Sequence, residues 1–200
     1  LTAEEFDRLV AAVEQRATEH YLRRDLAIIL TLWHTGLRLR ELVSLDLAQV
    51  DAPTERFLRV RRKGGRLRNV HFNVEVAITL RRWLWERKGY PNAEAEPALF
   101  LSDRGRRISP RAVQELVAKC LRHAAIGKHA TVHSLRHSTA TELVRRGNGI
   151  EVVADVLDHR NLNVTRRYVH LVGAQVHAAV ATLALPVGAR RTRKAARIPN

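Results

Sequence analysis

Helical periodicity runs through most of this 200-residue chain, and strand-like patterning is confined to Phe57–Phe72 and the short apolar run Ala98–Leu101. Those two observations predict a mainly α chain with a small antiparallel β-sheet, an α+β class. Thr2-Ala-Glu-Glu5 opens the first helix, with threonine suited to the N-cap and glutamate to N3, and Phe6, Leu9, Val10 and Val13 recur on one face. Tyr21–His34 is predicted as a second helix. Its run of Leu26, Ile28, Ile29, Leu30 and Leu32 places it at the centre of the core. Gly36 stops it, and Leu37–Leu45 restarts as a short helix. Phe57–Val60 and Leu67–Phe72 flank Arg61-Arg62-Lys63-Gly64-Gly65-Arg66 as a hairpin around a Gly-Gly turn. A helix follows from Val74 to about Lys88, with Trp83 and Leu84 on its apolar side. Tyr90–Pro97 reads as a loop and Ala98–Leu101 as a short strand. Ser109-Pro110 caps a helix with proline at N1, running to about Ala125. Further helices fit His133–Arg146, Glu151–Leu157 and Val164–His170, and Gly173 precedes an uncharged, mostly apolar stretch, Ala174–Leu185. Beyond Pro186 the tail carries Arg190, Arg191, Arg193, Lys194 and Arg197 with no acid, and is expected to be disordered. There is no internal repeat.

The length suits one large domain or two small ones. A net charge of +15 and a pI near 11.3 point to a polyanionic partner. Of thirty-five basic residues only five are lysines. Arginine grips phosphate through a planar fork, which favours nucleic acid, although codon bias in a GC-rich genome accounts for the ratio equally well. Cys120 is the single cysteine, which excludes an internal disulfide or a cysteine-based zinc site, and its apolar helical setting predicts a buried small hydrophobe. No apolar run approaches the roughly 18 residues of a membrane span, and no signal peptide is visible, so a cytoplasmic protein without membrane contact is expected. The chain lacks methionine even at position 1, as expected of a fragment of a longer protein.

Between His133 and Tyr168 lie His133-Ser-Leu-Arg136-His, Val-Leu-Asp158-His159 and Arg-Arg-Tyr168-Val-His170. About a hundred residues upstream stands Thr35-Gly-Leu-Arg38-Leu-Arg-Glu41-Leu. Cleaving a phosphodiester by transesterification needs an in-line nucleophile, donors for the charge on the non-bridging oxygens, and an acid for the leaving oxygen. Arginine meets the second need, each such donor being worth on the order of 10²–10³ in rate. Tyrosine meets the first if cationic neighbours favour its phenolate. No carboxylate cluster suited to a metal is apparent, and no cofactor is called for. Singly, every residue has an ordinary reading: Arg38–Glu41 as a solvated helix pair, His133–Arg136 as an uninformative i, i+3 pair, His159 as a cap, Tyr168 as core, Lys63 as a hairpin tip.

Together, these segments resemble the tyrosine recombinases, the phage integrase and Xer family, from Leu1 to about Leu171. The resemblance implies a catalytic set of Arg38, Lys63, His133, Arg136, His159 and Tyr168. Arg38 and Arg136 would clamp the non-bridging oxygens, and Lys63 would protonate the leaving 5′-oxygen. His133 would accept the tyrosine proton, His159 would add a hydrogen bond to the phosphate, and Tyr168 would form a 3′-phosphotyrosyl intermediate on duplex DNA without ATP. Arg61, Arg62, Arg66 and Arg111 are expected to contact DNA phosphates, as is the basic tail. A type IB topoisomerase-like strand swivelling and a non-catalytic DNA-binding module on the same fold remain open alternatives. Two positions depart from the family pattern: Asp158 stands where glycine is usual, and Gly65 where a polar residue is common. Asp158 would bring a negative charge to the phosphate or the His159 ring, or point away into solvent. The implied organisation is a catalytic domain over 1–185 and a tail over 186–200, with the family's N-terminal core-binding domain absent from this chain. Residues 174–185 are expected to couple neighbouring protomers in a tetrameric synapse on DNA, or else to fold back on their own domain. In a prokaryotic host the protein is expected to associate with the nucleoid.

Overall fold

The computed structural model describes residues 1–51, 56–61 and 65–158, apart from the side chains of Glu19 and Asp51. Among them are seven α-helices and one three-stranded antiparallel sheet, the mainly helical α+β class expected. The predicted helices at Val164–His170 and 174–185, and the basic tail, lie outside the described residues.

Helix α1, Ala3–Arg16, starts where its cap predicts. Thr2 Oγ1 accepts from Glu5 N at 3.2 Å, and the Glu5 carboxylate accepts from Thr2 N at 2.7 Å. Its buried face is Phe6, Leu9, Ala12 and Val13. Helix α2, Glu19–Thr35, buries Leu26 to Leu30 without interruption, then Leu32 and Trp33. From Asp25 to Trp33 every position of α2 is buried, so this half becomes the axis on which α1, α4 and α6 pack. Phe6 of α1 stacks on Trp33, centroids 4.0 Å apart. Gly36 ends α2 in the left-handed conformation, φ +60°.

Helix α3 is shorter than the sequence suggests, Leu39–Val43, because Arg38 serves as its N-cap and Ser44 as its C-cap. The hairpin strands β2, Phe57–Arg61, and β3, Leu67–His71, pair with Leu58 opposite Val70 and Val60 opposite Arg68. A two-residue strand β1, Val50–Asp51, adds to β2, a pairing too short to leave a sequence signal. Gly65 has φ +80°, which explains glycine at that turn position. Helix α4 spans Val74–Arg87 under an Asn73 cap, and α5 spans Pro110–His123 under Ser109. Helix α6, Val132–Arg145, and the short α7, Ile150–Leu157, complete the described residues. Cys120 is buried on α5, and burial pushes its thiol up to about 11. No helix among the described residues is long and apolar enough to cross a membrane.

Ala98–Leu101 is not the strand expected of it. Only single bridges form, Asp46 with Ala98 and Leu101 with Arg107. The run is buried and bends at Leu99 and Phe100, and several of its backbone acceptors are satisfied by side chains. Arg87 Nε donates to Ala98 O at 3.0 Å, Trp83 Nε1 to Leu99 O at 2.9 Å, and Arg24 Nη1 to Leu101 O at 3.2 Å. Arg87 also donates to Ala93 O at 2.9 Å, so one buried guanidinium organises the whole 93–98 turn. Burial lowers its pKa, Glu96 opposing, yet arginine stays protonated across the pH range of the fold. Arg87→Met should leave these carbonyls without a donor and lower the unfolding free energy by about 2–4 kcal/mol, at roughly 1–3 kcal/mol per orphaned group. Urea denaturation measures it, and an unchanged midpoint would mean that water satisfies the turn instead.

Candidate active site

The end of α2, the start of α3 and the first turns of α6 converge around Gly36. Thr139 Oγ1 on α6 donates to Trp33 O at 2.6 Å, and one turn earlier Arg136 Nη1 donates to Gly36 O. Arg136 Nη2 donates to Leu157 O, the last residue of α7. The guanidinium therefore lies between the C-terminal ends of two helices, where carbonyls lack intrahelical donors and the macrodipole favours a cation. It is only 5% exposed. Gly36 is required by the same geometry: a Cβ there would approach Leu157 Cδ2 to 2.5 Å, in a left-handed backbone that side chains disfavour.

Two residues beyond Gly36, Arg38 is held differently. Its backbone N–H donates to Glu41 Oε2 at 2.8 Å and its Nη1 to Glu41 Oε1 at 2.9 Å. Glu41 thus fixes both the cap and the guanidinium, while 45% of the Arg38 side chain remains exposed. His133 stands exposed in the first turn of α6, three residues before Arg136, its ring edge-on to His137 at 4.5 Å. The fold thus gathers Arg38 and Arg136 about one turn and puts His133 on the helix carrying Arg136. Lys63, His159, Tyr168 and Arg62 lie outside the described residues.

Neither described tyrosine is placed for attack near this turn. Tyr90 is buried, donates to His20 O at 2.8 Å, and burial pushes its phenol up to about 12. Tyr21 lies under the Arg24 guanidinium, 4.8 Å from the ring centroid, on the first turn of α2. Gly36 is fifteen residues further on, roughly 22 Å along the helix at 1.5 Å per residue.

Of the expected DNA contacts, Arg61 and Arg66 are exposed on the hairpin. Arg111 is exposed on the first turn of α5 and pairs with Glu115 at 2.8 Å, which holds the Glu115 carboxyl below its usual range. Asp158 occupies the C-cap of α7 with φ +52°, the backbone reason that glycine suits this position. Its carboxylate faces Arg68, Oδ1 lying 3.5 Å from Nη1. Glu41, Thr139 and Arg68 were not singled out as site residues from the sequence. For Arg68 a signal existed: the hairpin register puts it on the face of Leu58, Val60 and Val70, all buried.

Residues 1–174 match the model of the phage integrase family. The chain belongs to that family. It is 38% identical over 156 residues to tyrosine recombinase XerC of Mycobacterium sp. (strain KMS), covering 78% of this chain and 52% of that protein. It is 38% identical over 148 residues to XerC of Vibrio vulnificus (strain YJ016), covering 74% of this chain and 46% of that one. The chain thus spans about half the length of these relatives. Among solved structures it resembles XerA recombinase, TM-score 0.77 at 27% identity, covering 92% of this chain and 65% of that one. The fold is shared with XerH bound to difH substrate in a post-cleavage complex, TM-score 0.78 at 23% identity, covering 92% and 52%.

The two arginines should separate in stability measurements. Arg136→Ala strands the carbonyls of Gly36 and Leu157 and should lower the unfolding free energy by about 2–5 kcal/mol. Arg38→Ala keeps the backbone cap and loses a half-exposed ion pair, so it should change stability by less than about 1 kcal/mol. Equal losses in the two variants would contradict the anchoring of Arg136.

Proposed function

We propose that this chain is the catalytic portion of a site-specific DNA recombinase that cuts and rejoins duplex DNA through a covalent 3′-phosphotyrosine. The observation that carries the reading is the convergence of Arg136 and Arg38 on the Gly36 turn, one buried and fixed, the other exposed and fixed, within a phage integrase family chain. Two guanidiniums held in place before substrate arrives can stabilise charge on the non-bridging oxygens without reorganising, worth on the order of 10²–10³ in rate each. The XerC relatives are named tyrosine recombinases, and the XerH neighbours were captured on difH before and after cleavage. In this chain the reaction uses Tyr168 as nucleophile. Its hydroxyl oxygen attacks the phosphorus, its proton passes to His133, and the P–O bond to the 5′-oxygen breaks. Lys63 protonates that oxygen, and His159 donates to the phosphate. A 5′-hydroxyl from another strand reverses the step, conserving bond energy. The basic hairpin residues Arg61, Arg62 and Arg66, with Arg111, bind phosphates along the duplex. A cytoplasmic location follows from the same reading.

The covalent step can be tested on a pool of nicked suicide duplexes with randomised arms, trapping adducts under denaturing conditions and sequencing the bound DNA. Wild-type protein should be trapped and Tyr168→Phe should not, while retaining DNA binding. Lys63→Ala should cut the recovered duplex about 10²–10⁴-fold more slowly, the usual contribution of a general acid. A 5′-bridging sulfur, which leaves without a proton, should restore its rate. Adducts on Tyr168→Phe would remove the assignment.

Self-association on DNA through the uncharged segment 174–185 belongs to the same proposal. Truncation after Val172 should leave half-site binding in gel-shift assays intact and abolish cooperative filling of paired half-sites. Cooperative filling by the truncated chain would locate the coupling surface elsewhere.

A further inference from the structure

We propose that Arg68 and Asp158 are positioning residues that clasp the β2–β3 hairpin to the same helix end that Arg136 holds. Arg68 sits opposite Val60 on the inward face of the hairpin, in company with buried Leu58 and Val70. A cation in that company must find acceptors or leave the face. It finds them at the C-terminal end of α7: Nη2 donates to Asp155 O and lies 3.7 Å from the Asp155 carboxylate, and Nη1 lies 3.5 Å from Asp158 Oδ1. Arg68 Nη1 is buried and makes no hydrogen bond among the described residues, so the Asp158 carboxylate supplies charge compensation for it. The Asp155 carboxylate is 90% exposed and contributes little, whereas Asp158 is 35% and Arg68 21% exposed.

The last carbonyls of a helix need outside donors. On α7 two arginines from different elements reach these carbonyls: Arg136 donates to Leu157 O, and Arg68 adds a donor at Asp155 O, which also accepts from the Asp158 backbone N–H at 3.0 Å. The hairpin on whose connection Lys63 stands is thereby tied, through three residues of α7, to the buried arginine of the candidate site. Asp158 accepts a left-handed backbone, φ +52°, where glycine would be at ease, and its side chain is what glycine could not supply. The carboxylate turns to the hairpin and meets Arg68.

The catalytic consequence rests on the recombinase reading; the clasp itself does not, and the test separates them. Asp158→Gly keeps the left-handed turn and removes the carboxylate, and Arg68→Met keeps apolar bulk and removes the guanidinium. Hydrogen exchange on the full chain should show amides 67–71 exchanging about tenfold faster in both variants, as local opening becomes easier, with α2 and α5 unchanged. Unchanged hairpin exchange in both overturns the clasp whether or not the protein cuts DNA. On the duplex recovered by trapping, each variant should cleave about 10–100-fold more slowly, the scale of an ångström-sized misplacement, with half-site Kd within about twofold. The 5′-bridging sulfur substrate should restore the rate, which a general structural defect would not allow. Loosened hairpins that cleave at the wild-type rate overturn the positioning role. If wild-type protein forms no adduct, the recombinase reading fails and the exchange data alone decide the clasp.

Discussion

A buried guanidinium cannot remain in an apolar interior without acceptors, and Arg136 finds them in carbonyls at the ends of two helices, Gly36 after α2 and Leu157 on α7. The bond satisfies both sides, since helix-terminal carbonyls otherwise face a core that offers no donor. It also fixes how three elements meet. Helix α6 is stitched along α2 by Thr139 and Arg136, α7 is drawn to the same point, and Gly36 must lack a side chain for Leu157 to fit. Arg38 then emerges two residues from the anchor, oriented by Glu41. A phosphate arriving here would meet charges already in place, the condition under which electrostatic stabilisation costs no reorganisation.

The arginine richness of the chain has more than one cause. Arg24, Arg87, Arg107 and Arg136 all direct guanidinium hydrogens to backbone carbonyls, Arg107 reaching Val43 O at 3.0 Å and Leu45 O at 3.1 Å. The planar fork that suits phosphate suits converging carbonyls too. A net charge of +15 therefore overstates the surface available to a polyanion, because part of the arginine complement braces loops and helix ends from within. Arg61, Arg66 and Arg111 stand exposed, as do others such as Arg59, Arg81 and Arg104.

Much of the architecture was legible because its determinants are local. The Thr2–Glu5 box, the unbroken apolar course of α2, the Gly36 stop and the Ser109-Pro110 start all act within a few residues. One misreading arose where a distant partner decided the outcome. Ala98–Leu101 has strand composition, yet side chains of Arg24, Trp83 and Arg87 take its carbonyls and leave it with isolated bridges. Helix α3 is shorter for a local reason: Arg38, bonded to Glu41, is its N-cap and Ser44 its C-cap.

The sequence by itself determined most of the described helix starts and stops, though not those of α3, together with the hairpin strands and the family, since caps and periodicity are short-range properties of the chain. Tertiary structure decided what each arginine does. Nothing local distinguishes Arg136 from Arg38, and for Arg68 against Arg66 the strand register gives only the inward face, not the acceptors. The first of each pair is held by carbonyls 100 and 87 residues away in sequence, and the second stands exposed or half-exposed. The physical reason is that a guanidinium takes its role from the acceptors and dielectric around it, and folding alone brings those acceptors to it.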